Sequence, residues 1–153
     1  MAITFVSSGS MSYGDNHSFP APSSYQNDDL LVLQVHAAYG GGPTPSGWTK
    51  FANTPIGTTA GGASYITMFW KIASGTQSSV QITTGGYDSS GIMTAFRGTD
   101  LTTPVNASAS SSDSTSSTAI SCPTITTTSA NCMVVNFVTY GGTGSAGGSG
   151  SWT

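Results

Sequence analysis

Three stretches of this chain alternate apolar and other side chains with a period of two, and that pattern constrains the fold more than any other feature. In 30–37 (LLVLQVHA), Leu31, Leu33, Val35 and Ala37 share one face, while Leu30, Val32, Gln34 and His36 share the other. In 64–72 (SYITMFWKI), Tyr65, Thr67, Phe69 and Lys71 oppose Ile66, Met68, Trp70 and Ile72. In 132–140 (CMVVNFVTY), Met133, Val135, Phe137 and Thr139 oppose Val134, Asn136, Val138 and Tyr140. Alternation of this kind is the mark of a half-buried strand, and no window sustains the 3.6-residue apolar period of a helix.

Further strands are expected near 2–6, 47–52, 79–83, 91–97 and 118–121, with a weaker one near 104–109. Between them lie turn-forming segments such as SSYQNDD, GGGPTPSG and TGGYDSS. Composition agrees. Ser, Thr and Gly fill 69 of 153 positions, and charged residues are 6% against roughly 25% in ordinary soluble domains. Every acid is an aspartate, and the cations are Lys50, Lys71 and Arg97. Long surface helices need Glu, Lys and Arg, whereas Thr suits strands and Ser and Gly suit turns. The expected fold is all-β: a two-sheet antiparallel sandwich, jelly-roll-like, of about eight strands with a solvated outside. Residues 1–140 are expected to form this β-sandwich domain. Residues 141–153 read as a Gly/Ser-rich flexible C-terminal segment, in which the indole of Trp152 is out of character and calls for a pocket.

The same composition bears on function. A net charge of −3 and three scattered cations cannot neutralise a run of phosphates, so nucleic acid is not an expected partner. No stretch reaches the ~18 apolar residues of a membrane helix, and MAITFVSSGSMSYG lacks the basic start of a signal peptide; no membrane partner is expected. Cys122 and Cys132 read as buried thiols in preference to a disulfide, and with His17 and His36 they lack a zinc-site spacing. Asp28-Asp29 reads as a turn and strand start before it reads as a calcium site. His36 on a strand reads as a packed residue, and six turn-borne aspartates make poor glycosidase carboxylates. No catalytic residue, metal or cofactor is therefore assigned. The aromatics Tyr39, Trp48 and Tyr87 are candidates for a surface ligand platform.

Four segments, NDDLLVLQVHAAYGGGPTPSGWTKF (27–51), SYITMFWKIASGTQSSVQIT (64–83), SGIMTAFRGTDLTTPVNASA (90–109) and TITTTSANCMVVNFVTYGG (124–142), occur in an order that resembles a β-sandwich domain of phage virion, tail-fibre and decoration proteins. The resembling features are the Asp-Leu-Leu-Val strand, a Pro-rich loop into Gly47-Trp48-Thr49, the Phe69-Trp70-Lys71 strand, and Arg97-Gly98-Thr99-Asp100. In the last, Asp100 is expected to pair with Arg97 or with Lys71. Similar domains continue past the glycine-rich segment, so either further strands lie beyond Thr153 or a neighbouring subunit completes the sheet. The resemblance implies a non-catalytic structural protein of a bacteriophage particle: a capsid decoration (cement) protein, head fibre or tail-fibre component, located in a virion assembled in the host cytoplasm. Exposed strand edges and low charge favour association with itself, as a homotrimer, and the other expected partners are virion proteins such as the major capsid or tail proteins. The alternative is a carbohydrate-binding module of an adhesin or receptor-binding fibre, with a host surface glycan as partner.

Overall fold

The computed structural model describes residues 2–37, 42–58, 64–84, 88–112 and 121–138. Among these residues nine strands form: β1 (Thr4–Ser8), β2 (Ser12–Asp15), β3 (Ser18–Pro20), β4 (Leu30–Ala37), β5 (Thr49–Lys50), β6 (Ile56–Thr58), β7 (Ser64–Ile72), β8 (Ser79–Gln81) and β9 (Asp88–Arg97). The described residues contain no helix. Seven strands make one antiparallel sheet in the order β1-β9-β4-β7-β5. β2 continues the β1 edge along β9, and β6 continues the β5 edge along β7. β3 and β8 pair as a small second sheet. The two sheets pack together as the expected antiparallel sandwich.

The long strands β4, β7 and β9 are the ones whose alternation is strongest, and they take the centre of the large sheet. On the inner face Leu31, Leu33 and Val35 of β4 meet Phe69 of β7 and Met93 and Ala95 of β9, all fully buried. Phe19 of β3 and Val80 of β8 roof this face, with Ile82, Trp48 and Ala73 closing its margins. Each such Leu or Phe contributes about 1.5–3 kcal/mol by leaving water. Gly91 sits beneath the roof, where an added Cβ would lie 2.8 Å from the Phe19 ring and 2.4 Å from the Gln34 carbonyl oxygen. The roof rests on a missing side chain.

The outer face departs from the solvated surface that the sequence leads one to expect. Leu30, Val32 and Phe96 are buried there too, packed with Ile3, Phe51, Met68, Trp70, Ile72 and Phe137. Central β4 is thus covered on both sides at its N-terminal end, which accounts for the run of four buried residues that opens it.

Several sequence expectations need correction. The 47–52 strand shrinks to Thr49–Lys50, and 104–109 forms no strand. The apolar run at 132–138 is also outside any strand, leaving Met133, Val134, Val135 and Val138 exposed. Alternation supplies the faces of a strand, but a strand also needs a ladder of hydrogen bonds, and this run has none among the described residues. Residues 118–120 and 139–153 lie outside the described residues, and with them most of the 118–121 strand and the 141–153 segment. Conversely β2 (SYGD), β3 (SFP) and β6 (IGT) carry no apolar run and become strands only because β9, β8 and β7 offer them partners.

Candidate functional site

Toward the C-terminal end of β4 the outer face turns polar on its β2–β9 side, while Ile66 of β7 stays buried beside it. The register places Tyr13 of β2 opposite Ser90 of β9, Ser90 opposite His36 of β4, and His36 opposite Ile66 of β7. Because residues opposite one another point to the same side, Tyr13, Ser90 and His36 form one row across three strands. Gln34 lies two residues before His36 on the same face, and Asp88 two residues before Ser90. Tyr13 is 68% exposed and Met11, just upstream, 74%. Ser90, His36 and Gln34 are half-buried.

The row is held together by its own polar contacts. The Tyr13 hydroxyl donates to Asp88 Oδ2 at 2.6 Å. That bond, and then the carboxylate charge, raise the phenol above its ordinary pKa. Beneath it Ser89 Oγ donates to the Gly14 carbonyl at 3.0 Å, fixing β2 against β9. Ser90 Oγ lies 3.5 Å from His36 Nδ1. At that separation the pair is a loose contact and not a serine poised to lose its proton. Burial lowers the His36 pKa, so the ring is neutral near pH 7 and offers one donor and one acceptor. Asp15 stands directly opposite Asp88 on the same face. Like charges so placed repel.

A second polar locus lies at the far end of the sheet. Arg97 Nε and Nη2 donate to Asp29 Oδ1 and Oδ2, both at 2.8 Å, while the Gln26 amide also donates to Oδ2 at 2.9 Å. Burial alone would raise the Asp29 carboxyl, but the Arg97 and Gln26 bonds and the Arg97 charge outweigh it and hold the pKa low. Both oxygens are engaged, so Asp29 serves as a buried anchor for the 26–29 turn. The expected Asp100 pairing does not form. Asp100 Oδ1 instead accepts from the amides of Thr102 and Thr103, and these bonds lower its pKa. Lys71 donates to Gln77 Oε1 at 3.1 Å and sits 5.8 Å from the centre of a Trp48 ring.

Of the three aromatics proposed as a ligand platform, Tyr39 and Tyr87 lie outside the described residues. Trp48 is 8% exposed and belongs to the inner core, entered through Gly47 at φ +76. Its indole walls the core and offers no open face. The cysteines are free: Cys122 is exposed, against the expectation of a buried thiol, and Cys132 is partly buried. Cys122 Sγ lies 2.8 Å from Asn136 Nδ2, and Cys132 Sγ donates to the Ser129 carbonyl at 3.2 Å. Among the described residues no three His, Cys, Asp or Glu side chains group as a metal site. Tyr13 escaped the sequence reading because MSYGDNH has no apolar run; the signal present was only its single alternation of Tyr13 and Asp15 about Gly14. Comparison with family models, curated proteins and solved structures finds no match.

Proposed function

We propose that this chain is a non-catalytic structural protein of a bacteriophage particle, a capsid decoration (cement) subunit, head fibre or tail-fibre component. The observation that carries the reading is the character of its surface. Phe5, Leu101, Met133, Val134, Val135 and Val138 are all exposed, on a chain with nine ionisable Asp, Lys and Arg side chains in all. Large apolar side chains left exposed on a chain with so little charge favour burial against another protein. The outer edge of the large sheet adds an incentive, since among the described residues β1 has a neighbour on one side only. A homotrimer, resting on capsid or tail proteins in a virion assembled in the host cytoplasm, buries both features.

The experiment is to express the full chain, measure its mass by light scattering, and search purified particles of the phage that encodes it by mass spectrometry. A stable oligomer, and a stoichiometric place in the particle that electron cryo-microscopy resolves, is the expected result. A monomer at every concentration that is absent from the particles overturns it.

A further inference from the structure

We propose that the exposed β2–β9 side of the outer sheet face is a binding site for a neutral saccharide, which stacks on Tyr13 and is hydrogen-bonded by Asp88, Ser90, His36 and Gln34. The inference is independent of the particle role, because it rests on one row of side chains and not on how the protein assembles.

The geometry suits a short stretch of glycan. Neighbouring strands are spaced about 4.8 Å apart, so Tyr13 on β2 and His36 on β4, two strands away, stand about 10 Å apart along one row. That is comparable with two linked pyranose rings. A pyranose offers an apolar C–H face and a girdle of hydroxyls. The row answers with an exposed aromatic at one end and a carboxylate, a hydroxyl, a neutral imidazole and an amide along it. The Tyr13 hydroxyl is already tied to Asp88, which limits the ring's freedom before any ligand arrives and lowers the entropy lost on binding.

The charges select the ligand class. The cations among the described residues stand elsewhere: Lys50 on the far edge strand β5, Lys71 facing inward beside Trp48, and Arg97 at the other end of β9 with Asp29. Asp15 and Asp88 face each other at the site, so an anionic ligand would be repelled. The opposition of two carboxylates is itself unfavourable in an empty sheet. Hydroxyl groups that donate to both would relieve it, and a sugar carries them in pairs.

The test is affinity electrophoresis of the full chain through gels carrying one neutral polysaccharide each (dextran, mannan, galactan, xyloglucan, mixed-linkage glucan), with alginate and hyaluronate as acidic probes. Retardation by at least one neutral polymer is expected, and none by the acidic pair. Tyr13→Ala should weaken that retardation about tenfold or more. Tyr13→Phe, which keeps the ring, should retain most of it. Phe5→Ala, at the apolar end of the face, should leave it unchanged and serves as the control for folding. No retardation by any neutral polymer, equal retardation by the acidic pair, or a Tyr13→Ala variant that folds and binds as before overturns the proposal. None of these results bears on particle location or oligomeric state, so the two readings fail separately.

Discussion

One buried carboxylate shapes how this chain responds to strong acid. Asp29 is 1% exposed and its lowered pKa reflects two Arg97 bonds and the Gln26 amide. The unfolded carboxyl titrates near 3.9, so the stability the pair contributes is fully present above that value and is lost as pH falls through the lower, folded pKa. His36 acts in a higher window. Its folded pKa is lowered by burial, so the unfolded chain takes up the proton first as pH drops below about 6.5. Thermal melts should therefore show a mild loss beginning near pH 6.5 and a steeper one below about 4. The His36→Gln variant should lack the first, and an unaltered first step would refute its assignment. Asp29→Asn takes the negative partner from Arg97, whose side chain is 40% exposed, and should lower the melting temperature by roughly 2–5 °C. Gly91→Ala is expected to be at least as harmful as deleting a core methyl, because its Cβ meets backbone at 2.4 Å as well as a ring. Its check is the urea midpoint, and a neutral result would mean that both Phe19 and the β4 backbone at Gln34 give way.

At the scale of elements, what was legible and what was not divides along a physical line. β4 and β7 begin and end where the alternation of 30–37 and 64–72 places them, because their side-chain pattern and their hydrogen-bond partners agree. The same alternation in 132–138 fails as a predictor, since no neighbouring strand among the described residues completes it. β2 and β3 fail the other way: SYGD and SFP are strands by virtue of β9 and β8, and no local pattern announces a partner distant in sequence. The candidate site inherits this limit. His36 was visible on its strand, but Tyr13 and Ser90 join it only through the register of β2, β9 and β4. The roof makes the point energetically. β3 and β8 are three residues each, yet Phe19 and Val80 close the inner core. Phe19→Ala should destabilise by about 3–5 kcal/mol, a cost out of proportion to the strand that carries it, measured by equilibrium denaturation. A loss below about 1 kcal/mol would show that the small sheet is ornamental.

For the whole molecule the question is what kind of force joins it to a neighbour. With six aspartates against three cations spread over 153 residues, attraction between patches of opposite sign is not available to it. What it offers is apolar side chains, the Met133–Val138 stretch foremost, and an edge strand whose backbone faces outward at β1. The edge is blunted by a register shift between Phe5 and Ser7, which bends the ladder where an incoming strand would dock. Side chains therefore have the larger part in association, and the consequences are specific. Association driven by apolar burial survives the loss of electrostatics, so the oligomer should persist to about 1 M salt, where the Debye length is roughly 3 Å. It should be abolished by Val134→Asp with Val135→Asp, which desolvates two charges at the contact while leaving the melting temperature within a few degrees, because both side chains are already exposed. Sedimentation velocity across a salt series reads both. An oligomer that dissolves in salt, or that is indifferent to the two aspartates, would place the contact elsewhere and make the exposed valines an incidental feature of the fold.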